Sequence, residues 1–226
     1  MASHVGLLGH PVAHSLSPAM QNAAFAAARL DWHFSAFDVE DVVAAVGALR
    51  TLGFAGANVT IPHKRAVVAA CDEAEGEAVN TLVIRDGRVL GFNTDKDVLA
   101  GIEARRACVI GAGGAALALA PALPADTRTY SRSGTWPPEA DGCDLIVNAT
   151  PVRDELLVEP HPGQVVVDLA YSIDDRDDTA LVAAARAAGC EVIDGREALV
   201  RQGARSFELW TGAPPPVDVM RAVVRA

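Results

Sequence analysis

The chain has 226 residues, 50% of them hydrophobic, and a formal net charge of -10. This length favours two small domains over one large domain. An isoelectric point near 5.0 and the lack of any run of Lys and Arg exclude nucleic acid or an anionic membrane as the main partner. The composition therefore favours chemistry on a small molecule.

The sequence contains no signal for export, membrane anchoring or metal binding. No basic N-terminal segment leads into an apolar stretch, and no apolar run reaches the roughly eighteen residues that a membrane span needs. Cys71, Cys108, Cys143 and Cys190 are scattered and form no C-x-x-C pair. We therefore expect reduced thiols in a cytoplasmic protein and no metal site.

Alternating strands and helices are predicted in the first third of the chain. The predicted elements are strands at 4–8 and 33–39, a helix from Pro18 to about Leu30, and a helix from Glu40 or Asp41 to Gly53. This alternation indicates a parallel sheet. Pro18 suits the first position of a helix and Ser17 its N-cap, so capping is the simplest role for Ser17, whereas Ser15 has no such structural role.

The segment 56–64 predicts a strand that ends at Thr60 and a helix that begins at Pro62. Lys64 would then lie in the first helical turn, where the positive end of the helix dipole disfavours a cation. Such a violation often marks a functional site, although a solvated surface lysine is the simpler alternative.

A hairpin is predicted next, with strands at 78–84 and 88–92 around the turn signature Asp86-Gly87. It leads into Asn93-Thr94-Asp95 and a helix to about Ala104, which Asp95 could simply cap.

The stretch 107–116 predicts a buried strand, a glycine turn and a helix that continues to about Leu123. Gly111 permits the tight turn, Gly113 lets backbone N–H groups approach a pyrophosphate, and the small Ala116 allows close packing of helix on strand. Gly114 and Ala115 open the helix, whose N-terminus favours an anion. Alone, this motif also fits an ordinary α/β protein.

The second half completes a parallel sheet. Strands are predicted at 127–131, 144–148, 164–168 and 191–193, with helices at 179–188 and 217–224. The segment 134–138 is too short and too rich in proline for the usual crossover helix, so the domain is a trimmed one. Phe207 and Trp210 are predicted as core or interface aromatics.

Five motifs occur in order before or at the glycine turn. They are Ser15-Leu16-Ser17-Pro18, the segment 58–64 (Asn-Val-Thr-Ile-Pro-His-Lys), Ala78-Val79-Asn80-Thr81, Asn93-Thr94-Asp95 and Gly-x-Gly-Gly-Ala-Ala at 111–116. Together with the closing Gln202-Gly203-Ala204 segment they resemble the shikimate dehydrogenase family over nearly the whole chain. The resemblance implies an α/β protein of two domains: a substrate domain at 1–103, on which a helix within 206–226 packs back, and a Rossmann-like NADP-binding domain at 104–205.

The resemblance also implies the site residues. Lys64 and Asp95 would be catalytic, and the substrate would bind Ser15, Ser17, Thr60, Asn80 and Gln202. The cofactor would bind Gly111, Gly113, Gly114, Ala115, Ser131, Arg132, Ser133, Thr150 and Gly195.

The expected reaction is the reversible NADPH-dependent reduction of 3-dehydroshikimate to shikimate in aromatic amino-acid biosynthesis, by a monomer or homodimer. Two alternatives remain open: a dehydrogenase of quinate or an aminoshikimate, and a catalytically weak paralogue that senses NADP or shikimate. Lys96, the Arg153-Asp154 pair and the trimmed crossover depart from the family pattern and motivate the sensor.

The end of the second strand of the nucleotide domain predicts the choice of cofactor. In Rossmann-type domains this position lies beside the adenosine ribose, about twenty residues after the first glycine. An NAD-selective site usually has a carboxylate there, whereas this chain has Ser131-Arg132-Ser133 and no acid before Glu139. A guanidinium can bind a 2′-phosphate through two charge-assisted bonds, so NADP is expected unless Arg132 is an ordinary solvated arginine.

Overall fold

The computed structural model describes residues 2–171 and 177–226. The chain divides into two compact units, Met1–Asp95 with Val200–Ala226, and Lys96–Leu199. The predicted divisions, after 103 and after 205, lie later in the chain than these. The first division was predicted after residue 103 because the sequence predicts a helix to about Ala104. The structure has only a short 3₁₀ helix there, Asp95–Leu99.

The first unit contains a mixed six-stranded sheet. Its strands are β1 (Ser3–Gly9), β2 (Trp32–Asp38), β3 (Gly56–Val59), β4 (Glu73–Ala74), β5 (Thr81–Arg85) and β6 (Arg88–Phe92), in the order β2-β1-β3-β5-β6-β4. The strands β1, β2 and β3 are parallel as predicted, but β5 runs antiparallel to β3 and β6. The β5–β6 hairpin is confirmed, and Asp86 (φ 51°) and Gly87 (φ 72°) have the left-handed backbone that such a two-residue turn requires.

The helices of the first unit differ in detail from the prediction. The helix α1 spans Ser17–Ala27, with Leu16 at its N-cap and no side-chain capping bond, so the predicted cap at Ser17 is wrong. The helix α2 spans Val42–Thr51, and Asp41 caps it by accepting a bond from the Ala44 N–H.

The helix predicted from Pro62 does not form around Lys64. Residues 60–65 are loop and turns, and a five-residue 3₁₀ helix, Ala66–Ala70, follows. The Lys64 carbonyl accepts a bond from the Val79 N–H at 2.8 Å, so a tertiary contact takes the bond that a helix would have used. The dipole argument for Lys64 is therefore wrong.

The predicted helix to Ala104 is wrong as well, and Gly101, with φ 80°, follows the 3₁₀ turn.

The second unit contains a five-stranded parallel sheet. Its strands are β7 (Arg106–Ile110), β8 (Asp126–Tyr130), β9 (Leu145–Asn148), β10 (Val165–Asp168) and β11 (Glu191–Ile193), in the order β11-β10-β9-β7-β8. The helices α3 (Gly114–Leu119) and α4 (Ala180–Ala187) accompany it. Residues 131–144, all of them described, contain no helix, which confirms the trimmed crossover. The strand order reverses between β7 and β9, where doubly wound sheets bind their ligands.

The central strands of this sheet are buried on both faces. Val109 and Val147 belong to one apolar cluster, whereas their neighbours Cys108 and Ile146 belong to a second cluster on the opposite face. Near-continuous apolar strands of this kind are typical of parallel sheets covered on both sides. All four cysteines are free thiols, and burial raises the pKa of Cys108 to about 12, which makes it an inert core residue.

The C-terminal helices are α5 (Gly195–Thr211) and α6 (Val217–Arg225). α6 packs against α1. On α5, the Phe207 ring stacks on Phe25 with ring centroids 5.4 Å apart, and Trp210 Nε1 donates to the Leu82 carbonyl at 2.8 Å. Both aromatic residues are buried, as predicted.

Among the described residues, no helix combines the length and the apolar character that crossing a membrane requires.

Candidate active site

Three of the predicted substrate-binding residues follow the carboxyl ends of β1 and β3. These strands are parallel neighbours, so their C-terminal ends meet at one edge of the sheet. Thr60 lies directly after β3 and donates its N–H to the Leu8 carbonyl at 2.9 Å. Ser15 and Ser17 follow β1, and Ser15 Oγ accepts a bond from the Ser17 N–H at 3.2 Å. The segments that follow these two strands therefore carry three hydroxyl groups, which are neutral donors suited to a carboxylate or to ring hydroxyls.

Lys64 and Asp95, 31 residues apart in sequence, form an ion pair. Lys64 Nζ donates to Asp95 Oδ2 at 2.5 Å, and the two side chains are only 13% and 16% exposed. Partial desolvation strengthens such a pair relative to one at an open surface. The simpler alternative for Lys64, a solvated surface lysine, does not agree with this burial.

Thr94, the residue before Asp95, belongs to a buried network of polar side chains. Asn80 Oδ1 accepts bonds from the Thr94 N–H at 2.7 Å and from Thr94 Oγ1 at 3.1 Å. Thr94 Oγ1 lies 3.3 Å from Ser206 Oγ, which donates to the Gln202 carbonyl at 3.1 Å. Hydrogen bonds thus connect the backbone next to Asp95 with Asn80 and with Gln202.

Three residues of this network, Asn58, Thr81 and Ser206, have no role in the prediction from the sequence. Asn58 Nδ2 donates to Thr81 Oγ1 at 3.0 Å and to Ser206 Oγ at 2.9 Å, and all three residues are buried. Ser206 lies between the core positions Phe207 and Gly203 on α5, so a small polar residue on the apolar face of a helix was the one available signal.

The predicted cofactor-binding residues follow the carboxyl ends of four strands in the parallel sheet of the second unit. Gly111 follows β7, Ser131 to Ser133 follow β8, Thr150 lies after β9, and Gly195 lies after β11. Ligands of open α/β sheets bind at this edge, and β7 and β9 flank the point where the strand order reverses. These residues thus follow strands whose carboxyl ends lie at one edge of the sheet.

The backbone of the glycine turn fits the close approach of a pyrophosphate. Gly111 has φ 111°, and a Cβ there would lie 2.9 Å from the Ala149 carbonyl oxygen, so only glycine suits this position. A Cβ at Gly113 or Gly114 would meet nothing within 4 Å, which leaves open space above the N-terminus of α3. At Gly195, a Cβ would lie 2.5 Å from the Ala170 carbonyl oxygen.

A buried carboxylate organises the loop that bears Thr150. Asp168, with no exposed surface, accepts bonds from Asn148 Nδ2 at 2.9 Å, from the Ala170 N–H at 3.0 Å and from Thr179 Oγ1 at 2.5 Å. Asn148 Oδ1 in turn accepts bonds from the Thr150 N–H and hydroxyl at 3.0 and 2.7 Å. Burial raises the pKa of Asp168, and the three hydrogen bonds oppose that rise.

Arg132 lies at the end of β8, as predicted, but it contacts a carboxylate. Arg132 Nη2 donates to Glu155 Oε2 at 2.8 Å, with the side chains 66% and 58% exposed. The guanidinium also lies 5.6 Å from the centre of the Trp136 ring. Glu155 belongs to the loop after β9, so tertiary structure supplies the acid that the sequence around Arg132 lacks.

Residues 2–171 and 177–226 contain no group of three or more His, Cys, Asp or Glu that could hold a metal ion.

Two protein-family models match the chain. The shikimate dehydrogenase substrate binding domain matches residues 7–82, and the shikimate 5'-dehydrogenase C-terminal domain matches residues 195–225. Among curated relatives, the shikimate dehydrogenase (NADP(+)) of Moorella thermoacetica is 39% identical over an alignment of 274 positions that covers 98% of this chain and 92% of that protein. The alignment is longer than the chain, so the relative carries segments that the chain lacks.

Solved structures agree with this match. The shikimate 5-dehydrogenase of Thermus thermophilus, crystallised with NADP(H) and shikimate, has a TM-score of 0.84 and 32% identity, covering 99% of this chain and 98% of that one. Quinate dehydrogenase of Corynebacterium glutamicum, in complex with NAD, has a TM-score of 0.82 and 26% identity, with 98% of each chain covered. The predicted α/β fold of a substrate-binding and a Rossmann-like part is confirmed, and the chain belongs to the shikimate dehydrogenase family.

Proposed function

We propose that this chain is an NADP-dependent shikimate dehydrogenase, an oxidoreductase that reversibly reduces 3-dehydroshikimate to shikimate in aromatic amino-acid biosynthesis. The observation that carries the proposal is the ion pair of Lys64 and Asp95, at 2.5 Å and mostly buried. It lies in the unit that also bears the hydroxyls of Ser15, Ser17 and Thr60. An ammonium group held by a carboxylate, in a unit that also carries hydroxyl donors, suits the reduction of a ketone on a polar ring.

The residues of the first unit would share the work on the substrate. Lys64 would donate a proton to the oxygen that gains charge as the ketone is reduced, and Asp95 would hold the ammonium in place. Ser15 and Ser17 would bind the carboxylate of the substrate. Directional bonds from Thr60, Asn80 and Gln202 would orient the ring, whose alignment is a large part of the catalytic effect. The buried bonds of Asn80 Oδ1 with Thr94 support the role of Asn80, because they fix its side chain.

The second unit would hold the cofactor, whose bound nicotinamide supplies or accepts the hydride. The pyrophosphate would contact the backbone of Gly111, Gly113, Gly114 and Ala115, and the adenosine phosphate would contact Ser131, Arg132 and Ser133. Thr150 and Gly195 would lie beside the nicotinamide end. The open space above Gly113 and Gly114 supports this assignment.

The test is the absorbance of reduced nicotinamide when the purified protein meets NADP with shikimate, with quinate or with neither. We expect reduction of NADP with shikimate and much less with quinate. Faster turnover of quinate would favour the alternative that the structural match to a quinate dehydrogenase raises. Binding of NADP and shikimate without turnover would favour a sensor and contradict the proposed activity.

Substitution of the two serines tests the carboxylate contact. We expect Ser15→Ala and Ser17→Ala to raise the KM for shikimate more than they lower kcat, because a contact far from the reacting carbon stabilises ground and transition states alike. Steady-state kinetics with shikimate as the varied substrate measures the split. Thr51→Ala at the end of α2 serves as a control, because it removes an exposed hydroxyl. Equal losses in kcat and kcat/KM would instead place the serines at the reacting centre.

We further propose a cytoplasmic enzyme that acts as a monomer or homodimer. The four free thiols support a reducing compartment. Light scattering of the purified protein distinguishes the two assembly states.

A further inference from the structure

The ion pair between Arg132 and Glu155 places a carboxylate where the proposed function needs a free guanidinium. Arg132 Nη2 contacts Glu155 Oε2 at 2.8 Å, and the face of Trp136 lies 5.6 Å from the same guanidinium. The hydroxyls of Ser131 and Ser133 are adjacent, with their oxygens 3.3 Å apart. A carboxylate, a guanidinium cation, an aromatic ring and two hydroxyls therefore lie close together at the end of β8.

We infer that Glu155 is a specificity-determining residue that opposes Arg132 and lowers the preference of this site for NADP over NAD. The inference rests on the proposed function, because it concerns the cofactor of that reaction. A 2′-phosphate must compete with Glu155 for the guanidinium, and a carboxylate that stays nearby repels the phosphate charge. The 2′-hydroxyl of NAD is neutral and can donate a hydrogen bond to the same carboxylate. Glu155 thus hinders one cofactor and tolerates the other.

The magnitude follows from the exposure of the pair. At 66% and 58% exposure, solvent screens both the ion pair and the repulsion, so the effect is modest. We expect Glu155→Gln to tighten NADP binding about fivefold, the range of an exposed charge interaction, and to leave NAD binding within about twofold. Glutamine keeps the size of the side chain, and we expect the substitution at this exposed position to leave the fold intact.

The experiment measures the Kd of NADP and of NAD separately, without shikimate, by isothermal titration calorimetry. Arg132→Ala provides the opposite change and should weaken NADP binding while leaving NAD binding nearly unaltered. Glu159→Gln is the matched control, because it removes the same charge from an exposed position of the same loop.

The outcomes separate this inference from the proposed function. A higher ratio of NADP to NAD affinity in Glu155→Gln, with no change in Glu159→Gln, supports the role of Glu155. Equal effects of Glu155→Gln and Glu159→Gln would overturn the inference. An unaltered ratio of NADP to NAD affinity in Glu155→Gln would also overturn it. In both cases the proposed function stands if the wild-type protein binds NADP. A folded wild-type protein that binds neither nucleotide overturns both.

Discussion

Lys64→Ala is expected to lower kcat for shikimate oxidation about a hundredfold or more, which corresponds to about 2.7 kcal/mol of lost transition-state stabilisation. The proposed role of Lys64 is to exchange a proton with the reacting oxygen, and alanine has no group that can do so. Lys64 Nζ lies at 2.5 Å from Asp95 Oδ2 and the pair is mostly buried. The affinity for NADP, measured by calorimetry, should stay near the wild-type value.

Two further variants make this result specific. Asp95→Asn keeps the size of the side chain but removes the charge that holds Lys64, so a smaller loss in kcat is expected. Arg65→Ala removes the adjacent exposed cation and should leave kcat unaltered, since that side chain has no proposed role. A wild-type rate in Lys64→Ala, or a large loss in Arg65→Ala with an intact fold, would contradict the catalytic assignment.

Asp168→Ala is expected to destabilise the second unit by about 3 to 5 kcal/mol, because it leaves three buried donors without an acceptor. Those donors are Asn148 Nδ2, the Ala170 N–H and Thr179 Oγ1. For a unit of this size the midpoint of its calorimetric transition should fall by about 10 °C or more. NADP binding should weaken too, since Asn148 would no longer be fixed against the loop that bears Thr150.

The comparison variants separate the hydrogen bonds from the charge. Asp168→Asn keeps one acceptor oxygen in the same place and should lose less stability than Asp168→Ala. Asp141→Ala removes a carboxylate that is 98% exposed in the same unit, and its transition should stay within about 1 °C of the wild type, as usual for surface substitutions. Similar midpoints for Asp168→Ala and Asp141→Ala would show that the buried network contributes little.

The local patterns of the sequence predicted most of the elements. Apolar runs at 107–110 and 145–148 gave strands close to the observed β7 and β9, because a buried parallel strand must be apolar on both faces. The turn at Asp86-Gly87 was equally predictable, since few residue pairs adopt that backbone. The errors occurred at short helices, where one tertiary bond outweighs local propensity. At Lys64 that bond is the one that the Val79 N–H donates to the Lys64 carbonyl.

The sequence by itself determined the family, the parallel sheet of the second unit and the order of the motifs, because strand patterns, glycine turns and motif spacing are local properties of the chain. Only the tertiary structure decided which groups meet. It brings Asp95 to Lys64, places Ser206 within a buried polar network and sets Glu155 against Arg132. Pairings of this kind depend on how separate loops converge at the edge of a sheet, and no local pattern encodes that convergence.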